Sequence, residues 1–310
     1  MESVNPNPLA PILESRGLVV LDGGLATALE HAGHHLGDEL WSARLLRDDP
    51  GAIQAIHRRY LEAGADCLTT ASYQASFPGF ASAGMSRPEA VALLVRSTEL
   101  ARGAVGSLSS NALVAASVGP YAAYLADGSE YTGRYDATRS ELETFHRARW
   151  EVLARSGPDL MACETIPNRS EVEVLLDILA DDRRQWAWFS FCCGDGESLW
   201  DGTPVEQVAA ACDGRERVAA VGVNCTAPQH VPALVSRIRS VTDLPIIVYA
   251  NSGERYSATS RTWQGADEPW LASIDESIRA GATILGGCCR VGPDRIAELR
   301  AAVDRGDWSS

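Results

Sequence analysis

Eight short apolar segments recur along the chain, and each ends at a polar or glycine-rich stretch. Their hydrophobicity is nearly continuous, which is typical of strands that are buried on both faces. They lie at 17–22, 65–73, 112–119, 159–164, 186–193, 218–225, 244–251 and 282–289.

Stretches with helical spacing separate these segments, for example at 52–63, 87–105, 140–155, 171–179, 229–241 and 293–303. Alternation of buried strands and amphipathic helices indicates an α/β protein with a parallel sheet. Eight strands favour a single-domain (β/α)8 barrel of the TIM type over 17–310, preceded by a loose tail at 1–16. A doubly wound open sheet is the alternative, although no Gly-x-Gly-x-x-Gly follows the first strand.

Two long segments rich in turn residues, 23–50 and 120–137, follow the first and third predicted strands. In a (β/α)8 barrel the loops after the strands form the catalytic face. We therefore expect functional side chains at the carboxyl ends of the strands.

Composition and charge narrow the classes of function. The formal net charge of −14 disfavours nucleic acid or an anionic membrane as partner. The N-terminus does not resemble a signal peptide and no long apolar run occurs, so a cytoplasmic location is expected. Homo-oligomers remain compatible with the sequence. All 27 cations are arginine, and the absence of lysine excludes a P-loop and imine chemistry on a lysine.

We expect all eight cysteines to be reduced. Three of them, Cys225, Cys288 and Cys289, lie at the carboxyl ends of the sixth and eighth predicted strands. Three thiolates around Zn²⁺ with one open position form a catalytic arrangement. Adjacent cysteines on a regular strand point to opposite faces, so joint ligation requires a bend, which the pair Gly286–Gly287 permits. Ordinary core packing is the competing interpretation for these cysteines.

Other residues fit less specific roles. Cys67, Cys163 and Cys212 are expected in the core, and Cys192–Cys193 is expected to pack rather than bind metal. The histidines lie in predicted loops or helices and are expected at the surface. No HExxH or GxSxG motif occurs.

Several motifs resemble those of the homocysteine S-methyltransferases, above all the compact bacterial and plant type that uses S-methylmethionine. They are LDGGLATALE (21–30), ELWSARLL (39–46), TTASYQAS (69–76), CETIPN (163–168), DGT (201–203), VNCTAP (223–228), NSGE (251–254) and GGCCR (286–290). The resemblance implies a (β/α)8 barrel with zinc held by Cys225, Cys288 and Cys289. Ala250, where related chains carry proline, and the pair Cys192–Cys193 depart from the family pattern.

The chemistry of the predicted site suits methyl transfer to sulfur. Zinc would convert the homocysteine thiol to a thiolate, and a sulfonium donor would leave as a neutral thioether, so no general base is required. Orientation of the two sulfurs would then supply most of the catalysis. No catalytic side chain is expected beyond the zinc-activated substrate thiolate.

Substrate contacts are predicted from strand-end positions. We expect Glu164 to bind the homocysteine ammonium, both from its position at a strand end and from the family resemblance. Asp22 is the second candidate for this contact. Backbone amides near Ser252 and Gly253 are candidates for its carboxylate. Aromatic faces favour a sulfonium, which makes Trp41 and Tyr73 candidates on the donor side.

The leading hypothesis is zinc-dependent methyl transfer from S-methylmethionine to homocysteine, giving methionine, with S-adenosylmethionine as a second donor. Betaine or selenocysteine as substrate is the alternative within the family. A non-catalytic zinc barrel that senses redox state through Cys288–Cys289 is the alternative from another class.

Overall fold

The computed structural model describes residues 6–34, 42–257, 262–264 and 269–308. Its principal sheet has eight parallel strands in the order β1-β10-β7-β6-β5-β4-β3-β2. A parallel bridge between Leu21 and Cys67 joins the two ends of this order. The barrel strands are β1 Val19–Val20, β2 Cys67–Thr69, β3 Leu113–Val118, β4 Leu160–Ile166, β5 Ala187–Phe191, β6 Val218–Asn224, β7 Ile246–Ala250 and β10 Ala282–Gly287.

Seven of the eight predicted apolar segments contain one of these strands, the segment 159–164 overlaps β4, and the predicted (β/α)8 barrel is confirmed. A small antiparallel pair, β8 Arg255–Ser257 and β9 Thr262–Gln264, follows β7. Among the described residues no helix is long and apolar enough to cross a membrane.

Helices cover the outside of the barrel, and six contain or overlap the predicted helical stretches. The α-helices are α1 Ala10–Arg16, α2 Leu25–His31, α3 Ser42–Asp48, α4 Pro50–Glu62, α5 Phe77–Ser82, α6 Arg87–Ser107, α7 Tyr121–Leu125, α8 Arg139–Arg155, α9 Arg169–Asp181, α10 Val205–Cys212, α11 Val231–Arg239, α12 Trp270–Arg279 and α13 Pro293–Arg305; two short 3-10 helices are η1 Ser129–Tyr131 and η2 Pro228–His230.

The period of two along each strand divides the core into two layers. On β5 the side chain of Trp188 belongs to the cluster inside the barrel, whereas Phe189 packs with the helices. The same alternation on β4 places Leu160 and Ala162 inside the barrel, so Glu164, two residues further, continues the interior column at the carboxyl end. Glu164 is thus directed into the barrel mouth by strand periodicity.

The amino end of the barrel is covered by the segment expected to be a loose tail. Leu9 is fully buried in the interior cluster, and the Asn7 side chain donates to the carbonyl of Ala219 at 3.2 Å. Helix α1 follows directly, with Pro11 in its first turn, and ends at Gly17, whose φ is +74°. An open barrel end would expose apolar interior side chains, so burying Leu9 there is favourable.

We predict that Leu9→Ala lowers the free energy of unfolding by about 2–5 kcal/mol, because it removes a fully buried leucine and leaves a cavity. Urea unfolding followed by circular dichroism measures this. Glu14→Ala, on the exposed side of α1, serves as the control and is expected to change the value by less than about 0.5 kcal/mol. Equal stability of the two variants would contradict a structural role for this segment.

Candidate active site

A cavity of about 120 Å³ lies at the carboxyl ends of the strands, the face that carries active sites in (β/α)8 barrels. Seven of the eight barrel strands or the turns directly after them contribute to its wall. Residues that line it include Asp22, Thr69, Ser117, Glu164, Thr165, Asn224, Cys225, Tyr249, Gly287, Cys288 and Cys289.

The three predicted thiols converge on this cavity. The Sγ atom of Cys225, directly after β6, lies 2.8 Å from that of Cys288 and 3.6 Å from that of Cys289, in the turn after β10. All three Sγ atoms lie within 4.8 Å of one another. Strand ends 63 residues apart in the chain therefore form one cluster.

The backbone leaves β geometry at the thiols, but not where the sequence suggested. The left-handed residues are Cys225, with φ of +50°, and Arg290, with φ of +66°, whereas neither Gly286 nor Gly287 has positive φ. A Cβ at Gly286 would lie 2.6 Å from the Leu21 Cβ, and one at Gly287 would lie 2.1 Å from the Val291 side chain. These glycines thus allow close packing, and strained non-glycine residues make the turns, as is common at functional sites.

Side chains of the turn after β6 hold Cys225 in this conformation. The Asn224 side chain accepts from the backbone N–H of Thr165 at 2.7 Å and donates to its hydroxyl at 2.8 Å. The Thr226 hydroxyl accepts from the N–H of Cys193 at 3.0 Å. These buried bonds make the sequence Asn-Cys-Thr a rigid support for the thiol.

The electrostatics of the cluster favour one shared thiolate. Hydrogen bonds from the thiols of Cys288 and Cys289 hold the pKa of the Cys225 thiol well below its usual range. In turn, the interaction with Cys225 raises the pKa values of Cys288 and Cys289. The hydroxyl of Tyr131 also lies 4.0 Å from the Cys225 sulfur.

The cluster fits a tetrahedral metal ion. Sulfurs bound at about 2.3 Å to tetrahedral zinc lie about 3.8 Å apart. The Cys225–Cys289 sulfur distance of 3.6 Å is close to this value, whereas the Cys225–Cys288 distance of 2.8 Å is shorter, so a bound ion would move these two sulfurs apart. Three thiol ligands beside a cavity leave the fourth position open to a ligand. Among the described residues this is the one group of three or more potential metal ligands that converge in this way.

Glu164 lies in the cavity wall with both carboxylate oxygens hydrogen-bonded. The hydroxyl of Ser117 donates to Oε1, and that of Tyr249 donates to Oε2 at 3.0 Å. The Tyr249 hydroxyl in turn accepts from Trp188 Nε1 at 3.1 Å. Burial raises the pKa of Glu164 to about 7, despite these two bonds, so the carboxylate is poised to gain a cationic partner.

Asp22 lies across the cavity at the end of β1. The backbone N–H of Thr69 donates to Oδ2 at 2.8 Å, and the Thr69 hydroxyl contacts Oδ1 at 3.1 Å. Burial, opposed by these bonds, raises the pKa of Asp22 well above its usual range. Asp22 and Glu164 thus both bring a buried carboxyl group to the cavity, as their positions at strand ends predicted.

The other predicted substrate contacts are placed differently. Tyr73 lines the cavity. Ser252 and Gly253 are not among its described lining residues, and their N–H groups donate to the Cys289 carbonyl at 3.1 Å and to the Asn251 side chain at 3.0 Å. These two amides are thus already engaged within the protein. Trp41 lies outside the described residues.

Residues that the sequence did not single out complete the cavity wall. Ser117 and Tyr249 are interior strand positions, and Glu130 and Tyr131 lie on η1 within the predicted long loop after β3. Burial, reinforced by the charge of Cys225, raises the pKa of Glu130 to about 7. The length of that loop was the available signal, because it marked an insertion on the catalytic face.

The remaining five cysteines are buried, as expected. Cys67, Cys163, Cys192 and Cys212 are fully buried, and Cys193 is 3% exposed. The thiol of Cys192 donates to the carbonyl of Cys225 at 3.5 Å, behind the cluster. Beside the cluster, Arg290 pairs with Glu254 at 3.0 Å.

Two histidines contradict the expectation that all lie at the surface. His57 and His146 are fully buried. Nε2 of His146 lies 2.5 Å from Oε1 of Glu171, and its Nδ1 lies 2.9 Å from the guanidinium of Arg149. For His146, residue type alone does not predict this burial, because α8 carries a polar network on its inward face.

The fold and the site together define a barrel enzyme with three thiols at its catalytic face, and comparison with known proteins identifies the family. Residues 19–303 match the family described as Homocysteine S-methyltransferase. The chain belongs to the homocysteine S-methyltransferase family. It is therefore an enzyme of methyl transfer to homocysteine.

Individual relatives are similar over nearly their full lengths. A homocysteine S-methyltransferase of Bacillus subtilis is 44% identical, covering 95% of this chain and 97% of the relative. A selenocysteine methyltransferase of Astragalus bisulcatus is 40% identical, covering 93% of each. The crystal structure of the homocysteine methyltransferase MmuM from Escherichia coli in its metallated form has a TM-score of 0.84 and 43% identity, covering 95% of this chain and 99% of that one.

We predict that Glu164→Gln makes folding stability less dependent on pH. The unfolded chain releases the Glu164 proton near pH 4, whereas the folded chain retains it up to about pH 7. The stability linked to this proton is therefore complete below pH 4 and lost as the pH rises to 7. The variant should gain up to about 3 kcal/mol relative to the parent over this interval.

Urea unfolding at a series of pH values measures this difference. Glu151→Gln, an exposed position on α8, is the matched control and should follow the parent at every pH. Parallel curves for Glu164→Gln and the parent would show that Glu164 titrates normally in the folded protein.

Proposed function

We propose that this barrel uses zinc, held by Cys225, Cys288 and Cys289, to transfer a methyl group from a sulfonium donor to the thiol of homocysteine. The observation that carries the proposal is the cluster of three thiols at the edge of a cavity lined by buried carboxylates. Membership of the family supplies the acceptor. The metallated form of the related Escherichia coli enzyme supports a metal, and the chemistry of three thiolate ligands favours zinc.

When bound, zinc would lower the pKa of a thiol in its open fourth position and so make that sulfur nucleophilic at neutral pH. Asn224 and Thr226 keep the Cys225 side of the cluster rigid. The turn of Cys288 and Cys289 is fixed by the bond from the Cys288 N–H to the Ala250 carbonyl at 2.8 Å. Preorganised ligands are the contribution of the protein to this centre.

Glu164 and Asp22 would bind the ammonium of the acceptor. Both carboxyl groups are buried in the cavity wall, and neither has a cationic partner there among the described lining residues. An ammonium would lower the raised pKa of Glu164 and favour its charged form. Ser117 and Tyr249 keep its carboxylate oriented meanwhile.

The donor would place its methyl group in line with the acceptor sulfur. A sulfonium leaves as a neutral thioether, so the transfer itself requires no acid or base from the chain. Tyr73 lines the cavity and offers an aromatic surface to the cationic donor. S-methylmethionine is the donor that the sequence resemblance implies, with S-adenosylmethionine as a second; Trp41 remains a prediction on the donor side.

Selenocysteine as acceptor is a second candidate, favoured by the similarity to the selenocysteine methyltransferase of Astragalus bisulcatus. A selenol would occupy the same position as the homocysteine thiol. Betaine is the alternative as donor. The hypothesis of a non-catalytic zinc barrel that senses redox state is not favoured, because the family to which the chain belongs consists of methyltransferases.

We predict about one zinc per chain in the purified protein and its loss in Cys225→Ser and Cys288→Ser, because each substitution removes one of three sulfur ligands. Plasma emission spectrometry measures the metal content. Cys212→Ala, which changes a buried cysteine on α10, is the control and should retain zinc. Full zinc content in both serine variants would contradict the proposed ligand set.

We predict that the zinc-loaded protein forms methionine from homocysteine with S-methylmethionine faster than with S-adenosylmethionine or betaine. Incubation with each methyl-labelled donor, followed by chromatography of the labelled amino acid, measures this. Parallel reactions with selenocysteine test the second candidate. Methionine formation from none of the three donors would refute the proposed reaction.

A further inference from the structure

The loop after β3 contributes Glu130 and Tyr131 to the cavity wall and is fixed at both ends by one buried carboxylate. Glu171, fully buried on α9, accepts from the backbone N–H of Tyr121 at 2.5 Å and from the hydroxyl of Tyr135. Within the loop, Gly133 packs closely against the backbone at Asp201, because a Cβ at position 133 would lie only 2.5 Å from the Asp201 nitrogen. These contacts fix the conformation of the loop.

Glu130 lies on η1, in the middle of this loop, and lines the cavity. Asp127 sets the turn, because its carboxylate accepts from the Ser129 N–H at 2.9 Å. Oε2 of Glu130 is buried and has no hydrogen-bond partner among the described residues. By contrast, both oxygens of Asp22 and of Glu164 accept hydrogen bonds.

A buried carboxylate oxygen without a partner is costly, and a ligand cation is the natural compensation. The described residues that line the cavity include no arginine or histidine that could supply it. The neighbouring Tyr131 has its hydroxyl 4.0 Å from the Cys225 sulfur, so this loop adjoins the thiol cluster. Tyr73 contributes a second aromatic side chain to the same cavity.

We propose that Glu130 binds the positively charged sulfonium group of the methyl donor, between Tyr73 and Tyr131. This inference rests on the proposed function and assigns the donor side of its site. Asp22 and Glu164 remain for the ammonium of the acceptor. Asp22, Glu164 and Glu130 would thus divide between two cationic groups.

The expected effect of Glu130 depends on how the charge of the donor changes during the reaction. The acceptor thiolate forms a bond to the methyl carbon, while the bond from that carbon to the donor sulfur breaks and its electron pair stays on the sulfur. The sulfonium charge disappears in this step. Glu130 therefore stabilises the bound donor at least as much as the transition state, so its loss should raise KM for the donor without lowering kcat.

The experiment compares Glu130→Gln with the parent in steady-state assays of the zinc-loaded protein. We expect KM for S-methylmethionine to rise about ten- to hundred-fold, the usual effect of losing a charged partner. KM for homocysteine, zinc content and kcat should change less than about three-fold. Asp136→Asn removes one negative charge from an exposed position of the same loop and should resemble the parent.

Trimethylsulfonium provides a second measurement on the same proteins. It should inhibit the parent competitively against the donor and inhibit Glu130→Gln at least ten-fold more weakly. Glu130→Asp, which keeps the charge, should lie between the two. Unchanged donor KM in Glu130→Gln, or an equal rise in KM for homocysteine, would overturn the assignment. Absence of methionine formation by the parent would instead refute the proposed function.

Discussion

The candidate site depends on the burial of acidic groups at one end of the barrel without a cationic side chain among the described lining residues. Asp22, Glu130, Glu164 and the Cys225 thiol face one cavity, and no cationic side chain is among its described lining residues. Burial raises the pKa values of all three carboxyl groups, as expected for anions removed from water. Such a cavity is suited to cations, and the proposed reaction supplies a metal ion, an ammonium and a sulfonium.

Barrel topology explains which part of this site could be predicted from the sequence. Parallel strands end on one rim, so residues at the carboxyl ends of the apolar segments, such as Cys225, Cys288 and Glu164, are placed together by the order of the segments alone. Ser117 and Tyr249 could not be predicted, because their types are common on buried strands and their function is to orient Glu164. Glu130 lies in a loop without periodicity, where no pattern specifies the direction of a side chain.

Backbone conformation was predicted less well than strand position. The bend at the thiols was expected at Gly286 and Gly287, yet the left-handed residues are Cys225 and Arg290. Packing decides this, because the two glycines make room for Leu21 and Val291. Likewise, Leu9 is buried because it covers the apolar interior at the amino end of the barrel. This contact depends on the tertiary fold, so no local sequence pattern predicts it.

The buried carboxylates would also favour release of the donor product after the methyl group has been transferred. The donor enters as a cation and leaves as a neutral thioether, so Glu130 loses its partner when the methyl group moves. A buried carboxylate without a partner is unfavourable, which weakens the hold on the spent donor. Glu164, by contrast, retains the ammonium of the acceptor throughout. One acidic cavity can thus hold the acceptor firmly while it discriminates between the sulfonium donor and its thioether product, since these differ at the one group that Glu130 is proposed to bind.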